Sequence, residues 1–392
     1  MTSLADRPST PLGSESLPPD RSARERFRGH LRKIGSGEHT SRGLSREEAR
    51  DALELMLTGG ASPAQIGAFL IAHRIRRPEP QELAGMLDVY RAWGPRLSSS
   101  RRALCFGMPF DGRSRTAPVY PLTALVLAAA GLPVVLTGAG RMPVKYGITP
   151  RELFALLGLE LGGLSLARLQ EGLERHGLAL LHQPDHFPLA GALIEVREEL
   201  GKRPPIASVE LLWTPHRGPH LLASGYVHPP TESRAWEALR LAGESDVVTV
   251  KGLEGSTDLP VSRACVTARV RDGRSTRTIL HPRDHGCFGP DALWAGEAPW
   301  AAQAGAALEG EGELAGAVIW NAGAYLWFAG AAGELAEGIE QAAALLRGGA
   351  ARARLDDLIR WRGAPAGAAA AEPGCREGWP DPAGGGSAGP RP

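Results

Sequence analysis

Residues 104–147 read LCFGMPFDGRSRTAPVYPLTALVLAAAGLPVVLTGAGRMPVKYG, and their pattern decides the fold. A short apolar run enters a turn-rich loop holding Asp111, Gly112, Arg113, Ser114, Arg115 and Thr116. A helical stretch follows over residues 121–130, then a second apolar run over 133–136 and a second loop with Gly138, Gly140, Arg141 and Lys145. Strand, loop, helix, strand, loop is the unit of an open α/β sheet, and such sheets bind ligands in the crevice beyond the carboxyl ends of their strands. Both loops open at that edge. Glycine backbone can approach an anion closely, and arginine grips phosphate or carboxylate with a planar fork. An anion-binding crevice is therefore expected here, made by the residues from Asp111 to Thr116 with Gly138, Arg141 and Lys145. The competing reading is a pair of surface loops with paired charges; four cations on two loops at one sheet edge favour the crevice.

Towards the N-terminus the pattern changes to helices alone. Ser45-Arg46-Glu47-Glu48 and Ser62-Pro63-Ala64-Gln65 are capping boxes, the second with proline at the first helical position. Pro78-Glu79-Pro80 breaks the chain before QELAGMLDVYRAW. A small all-α domain over residues 25–94 follows, with apolar positions such as Leu53, Ile66, Phe69 and Leu83 spaced for packing. Residues 1–24 are expected to be a disordered Ser/Pro-rich tail.

Towards the C-terminus the alternation continues. LALLHQ, HLLASGYV and SDVVTVKG are strand candidates between helical segments, and RACVTARV and RSTRTILH flank the hairpin turn pair Asp272-Gly273. The segment FPLAGALIEVREELG is expected to be one helix ending at Gly201. Residues 100–362 thus predict a larger α/β domain with a mostly parallel central sheet, an antiparallel addition and flanking helices. Residues 363–392 are low-complexity and are expected to form a disordered tail. The apolar stretch 314–332 raises the transmembrane question, but Asn321 sits within it and Glu313 and Glu334 flank it, so a buried core helix is expected.

Composition excludes several classes of protein. Hydrophobic residues make up 43% and charged residues 22% of 392, as in ordinary globular proteins. The formal net charge of +1 provides no global field for nucleic acid or membrane. Four cysteines without a C-x-x-C pair argue against a zinc or disulfide framework. The opening MTSLADRPSTPLGSESLPPD has no apolar signal region, so a cytoplasmic location is the default. There is neither a G-x-S-x-G elbow nor a P-loop.

Smaller groups add candidates. In HQPDHFP, His182, Asp185 and His186 follow a strand, as a metal or acid–base group or as loop-capping histidines. Glu254 and Asp258 in KGLEGSTDLP have the hard oxygens a magnesium ion takes, although Glu-Gly-Ser-Thr-Asp is also turn chemistry, the slightly favoured reading. Arg197 and Arg203 are candidate carboxylate holders; Arg197 could as easily pair with Glu195 or Glu198 on a helix face.

Several segments in order resemble the anthranilate phosphoribosyltransferase-like members of glycosyltransferase family three, over residues 25–361. They are LSREEARDALELMLTGGASPAQIGAFLIAHRIRRPEPQELAG, VREELGKR at 196–203, IWNAGAYLWFAG, and EGIEQAAALLRGGAARARLDDLI. The resemblance implies a nucleoside phosphorylase/phosphoribosyltransferase-like fold and homodimerisation through the helical domain. It also implies phosphoribosyl transfer of the tryptophan-biosynthesis type, a phosphorylated or carboxylated small-molecule ligand, and Mg2+ as cofactor. Arg197 would be the second-substrate arginine, and His186 is nearest the family's His-Pro at the acceptor site.

The family's chemistry motifs are rewritten in this chain. Its G-T-G-G-D pyrophosphate loop corresponds to FGMPFDGRSRT, where Pro109 has no N–H and Met108 and Phe110 fill space. Its N-x-S-T stretch corresponds to PVYP at 118–121 and its K-H-G-N-R loop to LTGAGR at 136–141. Its paired Asp-Glu for magnesium is absent as such, with Glu254 and Asp258 the nearest acids. Two readings follow: a transferase with an altered donor site, or a non-catalytic homodimer on the same fold that binds a metabolite or, less favoured, nucleic acid.

Overall fold

The computed structural model describes residues 21–37 and 39–364. The two expected tails therefore lie mostly outside the described residues. The exceptions are residues 21–24, which are helical, and 363–364, which close the last helix.

Four helices make the N-terminal domain: α1 (Arg21–Gly35), α2 (Arg46–Leu57), α3 (Pro63–Arg76) and α4 (Pro80–Trp93). Ser45 and Ser62 close both bonds of their capping boxes, so α2 and α3 start where side-chain oxygens can satisfy orphan backbone N–H groups. Phe27, Leu53, Phe69 and Leu87 are fully buried and pack these helices together.

After a linker, β1 (Ala103–Gly107), α5 (Tyr120–Ala129) and β2 (Val134–Gly138) form the predicted unit. Next come α6 (Pro150–Leu156), α7 (Leu166–His176) and β3 (Leu178–His182). After β3 comes α8 (Gln183–His186), and the single helix expected over 187–201 is instead two, α9 (Pro188–Gly191) and α10 (Leu193–Leu200). Phe187, at φ −140° and ψ 63°, and the ring of Pro188 restart the chain between α8 and α9. Then follow α11 (Ile206–Leu212), β4 (His220–Gly225), α12 (Pro229–Leu241) and β5 (Asp246–Val250). The hairpin is β6 (Cys265–Arg271) and β7 (Arg274–Leu280), turning at Asp272 and Gly273 with φ of 49° and 77°. Helices α13 (Glu297–Leu308), α14 (Ala315–Ala329), α15 (Leu335–Arg347) and α16 (Ala350–Gly363) complete the layer. Helix α14 is the buried core helix expected of the 314–332 stretch, and no described helix is long and apolar enough to cross a membrane.

The seven strands lie in the order β3-β2-β1-β4-β5-β6-β7; the first five are parallel and the hairpin is antiparallel. Leu104 pairs with Val134 on one side and Leu221 on the other. The chain steps outward from β1 to β3 and returns to β4, so the topological switch point lies between β1 and β4. The helical domain packs over this region through α4 on α11 and α12. Tyr90 sits edge-on to Phe187 and Trp213 at the junction. Arg46 crosses it, pairing with Asp88 at 2.7 Å and donating to the Leu241 carbonyl at 2.7 Å. Arg91 does likewise with the Ala242 carbonyl and Glu244.

Candidate functional site

The loop leaving β1 docks on the loop leaving β2. Gly147 donates to the Asp111 carbonyl at 3.0 Å, and Arg113 and Ile148 exchange backbone bonds at 3.3 and 2.9 Å. Gly112 has φ +74°, and a Cβ there would meet the Gly147 carbonyl oxygen at 2.4 Å, so this approach requires glycine. Phe110, Ala139 and Met142 form a small buried cluster with Ile194 against it. Backbone hydrogen bonds and this apolar cluster thus hold the two loops together at the sheet edge.

Of the expected cations Arg113 is buried, Lys145 half-buried, and Arg115 and Arg141 exposed. Arg113 is 1% exposed. Its guanidinium pairs with Asp258, donates to Thr116 and to Ser256 Oγ, and lies 3.6 Å from Glu254. Glu254 also accepts from the backbone N–H groups of Ser114, Arg115 and Thr116 at 3.3, 3.1 and 2.9 Å. Burial alone would raise its pKa, but these amides, the Arg113 charge and the Thr116 hydroxyl outweigh that and hold it at about 2. Asp258 accepts from the Val119 N–H at 3.0 Å; burial raises its pKa against the pull of Arg113. Lys145 donates to the Glu254 carbonyl at 3.1 Å, and burial lowers its pKa. Arg141 is more exposed and pairs with Glu152 and Glu297 at 2.7 and 2.5 Å. Gly138 closes β2 against Pro150. Ser114 and Arg115 are exposed, and the Arg115 guanidinium lies 3.6 Å from Glu254. The paired-charge reading of these loops, set aside at the sequence level, is the one the geometry fits.

Glu254 and Asp258 do not fit a magnesium pair as they stand. The Arg113 guanidinium is already held between them, and backbone amides take up remaining oxygen lone pairs. Among the described residues no group of three or more His, Cys, Asp or Glu is placed to hold a metal ion.

The acceptor-side candidates are also engaged. Arg197 is 1% exposed and grips both Glu210 oxygens at 2.6 and 2.9 Å. This partner is neither of its helix neighbours Glu195 and Glu198. Its Nε and Nη2 are buried without partners. Burial raises the Glu210 pKa, opposed by Arg197. His186 lies within hydrogen-bond distance of the His182 and Leu164 carbonyls, at 2.9 and 2.8 Å, as a loop-capping histidine does. His182 faces Asp185 at 3.1 Å. Asp111 is buried with neither carboxylate oxygen hydrogen-bonded and faces Arg203 at 3.8 Å.

Sequence reasoning missed Glu210. An acid inside the apolar helix IASVELLW was its available signal, because a buried carboxylate requires a cation. It also missed a cleft on the other side of β1, of about 190 Å³, between α3, α12 and the ends of β4 and β5.

Comparison with known proteins agrees with this architecture. Residues 28–94 match the helical bundle domain of a glycosyl transferase family, and residues 113–352 match the α/β domain of a glycosyl transferase family. The chain is 31% identical over 346 residues to the anthranilate phosphoribosyltransferase of Methylobacterium radiotolerans, covering 85% of this chain and 96% of that one. It is 32% identical over 321 residues to that of Rhizobium meliloti, covering 81% and 94%. The crystal structure of anthranilate phosphoribosyltransferase from Thermus thermophilus superposes with a TM-score of 0.71 at 28% identity, covering 85% and 99%. The Saccharomyces cerevisiae enzyme in complex with PRPP and Mg shares the fold, with a TM-score of 0.70 at 15% identity over 86% and 97%.

Proposed function

The chain belongs to the glycosyl transferase family that joins a helical bundle domain to an α/β domain, and from that premise we propose that it binds a small anionic metabolite instead of running magnesium-dependent phosphoribosyl transfer to anthranilate. One observation carries the reading: the charges such a reaction would use are neutralised within the chain. Phosphoryl-bearing leaving groups are stabilised by free cations and by backbone N–H groups aimed at the developing charge. Here Arg113 is held by Asp258 and Glu254, and the amides of residues 114–116 point at Glu254. Arg197, the candidate carboxylate holder, is held by Glu210. We assign no step to a metal.

A transferase with another donor or acceptor is the second reading, supported by identity of about 30% to enzymes along most of the chain. Nucleic acid has less support, since Arg113, Arg141 and Arg197 all pair with carboxylates. A homodimer through the helical domain remains part of the proposal, with a sedimentation mass of twice 41.5 kDa as its test. The functional test is incubation of the full chain with phosphoribosyl pyrophosphate, anthranilate and Mg2+, following the loss of anthranilate fluorescence. The expected rate is that of the protein-free blank. Sustained turnover abolished by a chelator would overturn the reading.

A further inference from the structure

A cluster of arginines near the strand ends lines the cleft that the sequence did not announce. Its walls are α3 with the turn after it, the loop before α11, the ends of β4 and β5, and the start of α12. It therefore lies on the carboxyl edge of the sheet beside the β1/β4 switch point, where open α/β sheets take ligands. Four arginines face it: Arg74, Arg77, Arg203 and Arg234. The guanidinium groups of Arg77 and Arg234 make no hydrogen bond or ion pair with the described residues. Arg77 ends α3 with φ +66°, a conformation a non-glycine residue adopts at a cost, held where the chain turns along the cleft rim. Arg74 donates to the Arg203 carbonyl, tying the helical domain to the opposite wall, and the Arg203 guanidinium faces Asp111 at 3.8 Å.

The one acid in the lining is spent elsewhere. Glu232 is bound by Arg277 at 2.6 Å and accepts from Thr249 at 2.7 Å. Among the described residues the guanidinium groups of Arg74, Arg77 and Arg234 have no ion-paired carboxylate, while Arg203 has Asp111, above an apolar floor that includes Leu83 and Leu211. Four cations suit a dianion better than a monoanion, and arginine forks match a phosphoryl group's oxygens.

We propose that this cleft, between the helical domain and the ends of β4 and β5, binds a phosphorylated small molecule, with its phosphoryl group on Arg77, Arg234 and Arg203 and its apolar body on the leucine floor. The assignment deepens the binding-protein reading and rests on it. The two fail separately: turnover of anthranilate removes that reading, whereas the titration below tests the cleft whether or not turnover is seen.

The test is calorimetric titration of the full chain with phenyl phosphate at constant ionic strength, with benzoate and inorganic phosphate as comparators. Saturable binding of phenyl phosphate, tighter than both comparators, is expected. Arg77→Ala and Arg234→Ala should each weaken it about tenfold, the loss of one charge-assisted hydrogen bond. Arg77→Lys, which keeps the charge and removes the fork, should fall between. Arg360→Ala, at an exposed arginine on α16 outside the cleft lining, should change nothing. Both cleft arginines are at least partly exposed, so ligand-free melting temperatures should match the parent chain. No saturable binding at millimolar phenyl phosphate overturns the proposal, as does equal weakening by Arg360→Ala. Benzoate binding as tightly overturns the assignment to a phosphoryl group.

Discussion

Removing Arg197 strands the Glu210 carboxylate where water does not reach it. Breaking such a pair costs about 3–5 kcal/mol, whereas replacing both partners by apolar groups is often neutral. Arg197→Ala should therefore lose about that much stability in urea unfolding, and Arg197→Met with Glu210→Leu should recover most of it. Equal losses in the single and double variants would refute the internal pairing. Glu254 makes a pH prediction. Its folded pKa of about 2 lies below the ordinary 4.5, so the folded state binds fewer protons than the unfolded chain between those values. The stability it contributes is complete above pH 4.5 and disappears as pH falls towards 2. Glu254→Gln should melt lower at neutral pH and show a shallower fall in Tm over that window; an unchanged slope would remove Glu254 from the account. The sequence showed which residues at this edge are cationic, but not their partners. Arg113 meets Asp258, 145 positions away, and nothing local in the loop records that distance being closed.

Helix α14 positions the acidic loop. Asn321 accepts from the Leu259 N–H at 2.7 Å and donates to the Leu259 carbonyl at 3.1 Å, while the Tyr325 hydroxyl donates to the Thr257 carbonyl at 2.5 Å. Asn321→Leu leaves two buried backbone groups unpaired, each costing about 1–3 kcal/mol. It should lower the denaturation midpoint accordingly and loosen amide protection from Ser256 to Leu259 in hydrogen exchange. Protection unchanged there would show the loop is held by other contacts. Elements of this kind were the most legible part of the sequence, because caps and turns are local. The boxes at Ser45 and Ser62 and the Asp272-Gly273 turn all stand where the residues put them. The break between α9 and α10 falls at Ala192, directly after Gly191, a signal that the single-helix reading of 187–201 passed over.

One contiguous apolar core runs from Phe27 in α1 through the strands to Trp361 in α16, and Arg46 and Arg91 bridge its two halves. The whole chain should therefore melt in a single calorimetric transition coincident with far-ultraviolet dichroism; two separated transitions would show the helical domain to be independently stable. At this scale the layer order and the mostly parallel sheet could be read from the alternation of segments. The location of the open cleft could not, because it depends on how α3 and α12 lie against each other. The buried pairs also constrain the chain's history. Arg113 without Asp258, or Glu210 without Arg197, is a naked charge in a dry interior, so each partner's presence makes losing the other harmful. A lineage that acquires these couples has passed a ratchet: returning to open carboxylates and a free arginine would take several simultaneous substitutions, with each intermediate less stable than either end.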